Sequence, residues 1–156
     1  MQEILVRKLH DYIRENNPDL LLTLQQENKV TEYLQDNVST VDELIHSLLD
    51  NNKPVSLIEE LCMKELTKPL RPSRFNYLKV LVEQEFQKEY ERFYENGILT
   101  TELINMISVC DPVFDELEFS EEKEDNHYLR YAVIGAVHEY LNVSRESFDK
   151  LRTNSE

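Results

Sequence analysis

The sequence predicts an all-α fold, a compact bundle of about seven helices with no sheet. Three observations carry this. Apolar residues recur at three- and four-residue spacing in every long segment; no segment alternates with the period of a strand; and two glycines in 156 residues leave almost nothing for tight hairpins. Apolar residues make up 40% of the chain, with twenty-two leucines, enough for a sizeable core.

The elements follow in order. Ile4, Leu5, Leu9, Tyr12 and Ile13 form one helical stripe, stopped at Asn16-Asn17-Pro18. Pro18 suits the first position of a second helix over 18–38, with a break expected near Asn28. Thr40 and Glu43 have capping-box spacing and open a third helix burying Val41, Leu44, Ile45, Leu48 and Leu49. After the turn Asn51-Asn52-Lys53, Pro54 starts a fourth, with Val55, Ile58, Leu61, Cys62 and Leu66 inward. Pro72 fits the first turn of a fifth helix reaching Glu95, with Gly97 as its C-terminal cap. At 1.5 Å per residue it would be roughly 35 Å long, a spine for the fold. Thr100 or Thr101 caps a sixth helix, ended by Cys110-Asp111-Pro112. An acidic connection over 111–125 leads to a seventh helix over about 125–142, with Leu129, Ala132, Val133, Ala136, Val137, Tyr140 and Leu141 inward. Gly135 interrupts that helix beside the only two alanines, which predicts close approach of another helix. Residues 1–143 are expected to form one domain, and 144–156 a short amphipathic tail with Phe148 and Leu151.

Leu70-Arg71-Pro72-Ser73-Arg74-Phe75, followed by Leu78 and Glu85-Phe86, resembles a small helical domain family of unknown function. That family occurs in Bacteroidetes, often within conjugative mobile elements. Leu9, Tyr12, Ile13, Pro18 and Leu20 resemble its N-terminal segment, and Cys110-Asp111-Pro112-Val113-Phe114 a cysteine–valine–phenylalanine stretch. The resemblance implies a helical fold and a bacterial cytoplasmic setting, and it transfers no catalytic residue.

Charge narrows the partners. The formal charge of −14 repels phosphate backbones and anionic membranes, and favours a basic protein partner. The longest apolar run, 132–137, is far too short to span a bilayer. No secretory signal opens the chain, and two cysteines 48 positions apart are no disulfide framework, so a cytoplasmic location is expected.

Candidate chemistry is sparse. The acids of 111–125 lack the glycine of a calcium loop, and read first as a solvated acidic segment. His127 and His138 are about 16 Å apart on one helix, too far for one metal. Cys62 and Cys110 read as buried small hydrophobes rather than nucleophiles. No catalytic motif stands out, so no cofactor, metal or catalytic residue is expected. Two features remain. Lys64, Lys68, Arg71, Arg74 and Lys79 form the one basic stretch, suited either to an anion or to internal pairing with acids of 111–125 or the seventh helix. Tyr90, Phe93 and Tyr94 cluster near the end of the fifth helix and suit core packing or a partner surface. Lys64, Lys68, Arg71, Arg74, Tyr90 and Tyr94 are therefore the candidate partner- or anion-binding residues. The expected function is a non-catalytic interaction or regulatory domain presenting an acidic helical surface to a protein. The alternatives are an acidic DNA mimic that occupies a basic nucleic-acid-binding protein, and an enzyme. Oligomeric state is not legible in the sequence.

Overall fold

The computed structural model describes the backbone of residues 1–154 and the side chains of residues 1–145. Phe148 and Leu151, expected in an amphipathic tail, lie outside the described side chains. The fold is all-α, with no strand among the described residues. Its helices are α1 (Gln2–Asn16), α2 (Pro18–Gln26), α3 (Val30–Ser39), α4 (Asp42–Asp50), α5 (Val55–Thr67), α6 (Arg74–Glu85), α7 (Gln87–Glu95), α8 (Leu99–Glu116) and α9 (His127–Asn154). The chain divides into two compact units, Met1–Ser73 and Arg74–Glu156. The one boundary drawn from the sequence, at 143/144, falls inside α9.

In the first unit α1 packs against α2, α3 and α5. Its Leu5, Leu9 and Ile13 are buried with Leu34, Val38, Ile45, Ile58 and Cys62. In the second unit α8 packs against α6, α7 and α9. Leu103, Met106, Cys110 and Phe114 of α8 are fully buried with Leu78, Val82, Val133 and Val137.

Among the described residues nine helices replace the expected seven because two long runs are broken. The expected break after α2 occurs at Asn28, whose φ of 56° is left-handed. The break between α6 and α7 overturns the single spine over 72–95. Phe86 adopts φ −134° and ψ 53°, so its neighbours remain helical while the axis turns at one residue. The backbone stays paired across the turn: Phe86 N–H donates to the Val82 carbonyl at 2.8 Å, and Tyr90 N–H to the Phe86 carbonyl at 2.9 Å. A straight helix would carry Phe93 away from the core at 1.5 Å per residue. The turned one buries it.

Helix α8 does not end at Cys110-Asp111-Pro112, as expected, but continues through Pro112 to Glu116. Proline inside a helix costs ~3 kcal/mol and leaves the carbonyl four residues back without its donor. Here that carbonyl belongs to Ser108, and both Ser108 and Pro112 face solvent, where water can replace the bond. Continuing the helix keeps Phe114 in register with Met106, Ile107 and Cys110. Burying one large apolar side chain contributes ~1.5–3 kcal/mol, and Phe119 adds to it by packing its ring 4.8 Å from that of Phe114.

Three other expectations are corrected. Thr40 does not cap α4; its hydroxyl donates to the Asn37 carbonyl at 2.6 Å at the end of α3, and Val41 takes the cap position. Neither Thr100 nor Thr101 caps α8, which starts after Ile98. Val55 and Leu49, placed inward by periodicity, are exposed. Gly97 caps α7 as expected, with φ 72°.

Gly135 is not a site of close approach. It is exposed, and a Cβ built there would meet nothing within 4 Å. Glycine in a helix interior is worth ~1 kcal/mol less than alanine. Gly135→Ala should therefore raise stability by about 0.5–1 kcal/mol in urea or thermal unfolding. A loss of stability would reveal a crowded face at this position.

Candidate functional site

Helix α6 begins at Arg74, where the helix dipole disfavours a cation and no acid occupies the first turn. The compensation comes from α8. Because α8 continues through Pro112, Asp111 and Asp115 stand one turn apart on the same face. The Arg74 guanidinium donates to Asp111 Oδ1 and to Asp115 Oδ1, each at 2.7 Å. It also lies 5.2 Å from the centroid of the Phe114 ring between them. Partial burial pulls the guanidinium downward, but the hydrogen bonds and charges of Asp115 and Asp111 outweigh it and leave the pKa raised. While both aspartates are ionised, the stability this contributes is lost only as pH rises above the usual arginine range. Arg74 thus ties α6 to α8, with the internal partners expected within 111–125.

The other basic residues are arranged differently. Lys64, Lys68 and Arg71 belong to the first unit, and all three are exposed. Arg71 donates to the Lys64 carbonyl at 3.2 Å. Tyr90 is half-buried against the core of the second unit, and desolvation pushes its phenol up. Tyr94 is exposed. Arg74 and Tyr90 therefore serve the fold, while Lys64, Lys68, Arg71 and Tyr94 face solvent.

Both cysteines are fully buried and free. Burial, with Asp111 nearby, pushes the Cys110 thiol up to about 12. Burial pushes Cys62 up as well. Among the described residues no three His, Cys, Asp or Glu side chains converge in a way that could hold a metal ion. No described helix is long and apolar enough to cross a membrane.

The end of α8 opens the most charged surface. Glu118 sits at φ 53°, Phe119 N–H donates to the Phe114 carbonyl at 2.9 Å, and the chain reverses there. Glu116, Glu118, Glu121, Glu122, Glu124 and Asp125 all face solvent. Lys123 is the one base among them; it donates to the Leu117 carbonyl at 3.1 Å and lies 3.5 Å from Glu118. Asn126 Oδ1 accepts the Leu129 N–H at 3.0 Å and so caps the start of α9. The first turns of α9 then present Tyr128 and Tyr131, exposed by 82% and 69%. At 100° per residue they lie roughly 60° apart, on the face opposite the buried Leu129, Val133 and Val137. Gly135, His138 and Asn142 continue that exposed face.

Sequence reasoning missed Tyr128 and Tyr131. The signal was present: both fall off the apolar stripe of the seventh helix, and an aromatic ring outside the stripe has no core to enter.

No family model, curated protein or solved structure matches the chain. The resemblance drawn at 9–20, 70–86 and 110–114 therefore rests on the residues quoted for it alone.

Two measurements test this geometry. Arg74→Ala should lower stability by about 1 kcal/mol, a loss that shrinks in high salt because all three partners are partly exposed. An unchanged denaturation midpoint would show that the double ion pair contributes nothing net. A thiol reagent at mildly alkaline pH should modify neither cysteine in the native protein and both after unfolding. Rapid native labelling of one equivalent would place a cysteine at the surface.

Proposed function

We propose that the chain is a non-catalytic, cytoplasmic interaction domain whose second unit presents an acidic, tyrosine-bearing helical face to a basic protein. One observation supports this above the rest: two tyrosines stand almost fully exposed at the start of α9, directly after six exposed acids over 116–125. Exposed acids alone need no partner, since a solvated face explains them. Exposed aromatic rings on a helix whose other face is fully satisfied are different. Tyrosine gives large contact area with few rotors to freeze, and it is enriched among the residues that dominate interface energies. Acids around such a pair repel nucleic acid and steer a positively charged surface toward it.

Replacement of Tyr131 in the full chain by a photo-crosslinking tyrosine analogue, in cells of the native host, should recover one basic protein. The same analogue at Glu27, an exposed position of the first unit, should not. Tyr131→Ala should then weaken the purified pair roughly tenfold. Equal adducts at both positions, or an affinity unmoved by Tyr131→Ala, would overturn the reading. Displacement of the captured protein by duplex DNA would assign the surface to DNA mimicry instead.

A further inference from the structure

A second feature of the same unit lies away from the acidic face. Residues of α7, α8 and α9 line a groove of about 440 Å³. That is the size of a small-molecule site. Its apolar surface comes from Phe93, Ile98 and Leu141. Phe93 is buried, Leu141 half-buried, and Ile98 stands exposed at 39%. Arg92 and Arg145 provide two guanidiniums, and a smaller recess of about 130 Å³ shares both of them and Leu141.

The charges set the kind of ligand. Among the described residues Lys8, Arg14, Arg74, Lys123, Arg130 and Arg145 each pair with a carboxylate. Arg92 does not: among the described residues its one contact of this kind is with the neighbouring Phe93 ring, whose centroid is 5.2 Å away. The last turn of α7 suits a cation, yet among the described residues the planar donors of the guanidinium meet no acid. Arg145 is 3.7 Å from Glu89 and 65% exposed, so that contact is loose. Glu102, the one acid among the described residues of the larger groove, already accepts the Tyr140 hydroxyl at 2.7 Å.

We infer that this groove binds a small amphipathic carboxylate, its anionic head held by Arg92 beside Arg145 and its apolar body lying on Phe93, Ile98 and Leu141. Two planar guanidiniums match the geometry of a carboxylate, and the adjoining apolar floor excludes a preference for a bare ion. The site is independent of the tyrosine face, so either can fail without the other.

Octanoate, kept below the concentration at which it self-associates, serves as the probe, with octan-1-ol and acetate as matched controls. In the full chain, octanoate should shift the amide resonances of Phe93, Ile98 and Leu141 saturably, and neither control should do so at equal concentration. Arg92→Gln should weaken octanoate at least tenfold, and Ile98→Glu, at the exposed mouth, should do the same. Arg14→Gln, which removes an exposed cation of the first unit, should leave binding unchanged. Circular dichroism of each variant checks that the helices remain. Equal shifts with octan-1-ol would overturn the anionic head site, equal shifts with acetate would reduce the arginines to general ion attraction, and no saturable shift would remove the site altogether.

Discussion

Much of the second unit depends on α8 remaining helical through Pro112. Proline at that position removes one hydrogen bond, and the solvent-facing Ser108 and Pro112 let water replace it. What the helix keeps in return is an unbroken stripe from Leu103 to Phe114, all of it against the core. That continuity also places Asp111 and Asp115 one turn apart, where a single guanidinium can bridge them. Had the helix stopped at Cys110, Phe114 would lose its register, Arg74 would start α6 without a matched pair of acids, and the acidic segment would begin five residues earlier. One tolerated backbone defect thus sets the core, the α6–α8 clamp and the start of the exposed acidic surface.

The contrast between Asn17 and Phe86 shows what the sequence makes legible. The two residues have nearly the same backbone, φ −137° and ψ 55° against φ −134° and ψ 53°, and each turns the chain between two helices without a loop. At Asn17 the cause is local: the following Pro18 disfavours the helical conformation in the residue before it, so the break can be read directly. At Phe86 no proline follows and no glycine intervenes. The turn there is selected by the burial of Phe93 and the partial burial of Tyr90, a tertiary cause without a local signature. Pro112 is the converse case, a strong local stop signal overridden by packing. The all-α class, the apolar stripes and the cap at Gly97 were legible because they depend on period and on single-residue conformational preference. Gly135 was misread because a glycine among small residues suggests crowding, whereas only the surrounding chain shows whether anything is near.

The candidate surfaces were less legible for a related reason. Singling out Arg74 and Tyr90 by residue type and clustering found side chains that the structure uses for its own cohesion. Tyr128, Tyr131 and Arg92 were not singled out, because what distinguishes them is exposure to solvent, and periodicity reports mainly what is inside. Polarity also separates the two surfaces of the second unit. The tyrosine face carries acids and the groove carries guanidiniums, so the two ligands proposed for them are of opposite charge within a unit of 83 residues, 74–156.

The separation of the cores also bears on how the chain acquires its structure. Residues 1–73 hold an apolar cluster of their own, with α1 as the element that α2, α3 and α5 pack against. None of those contacts waits for a residue beyond 73. During synthesis, at about 5–20 residues per second, the first unit can bury its leucines within seconds of leaving the ribosome, while α6 to α9 are still being made. Helical segments that are neighbours along the chain close small loops, which favours rapid assembly. The second unit has no such head start: α6 must wait for α8 before Phe75 and Leu78 are covered. The interval between the translation of residue 75 and that of residue 114 is therefore when nascent apolar surface is most open to chaperones.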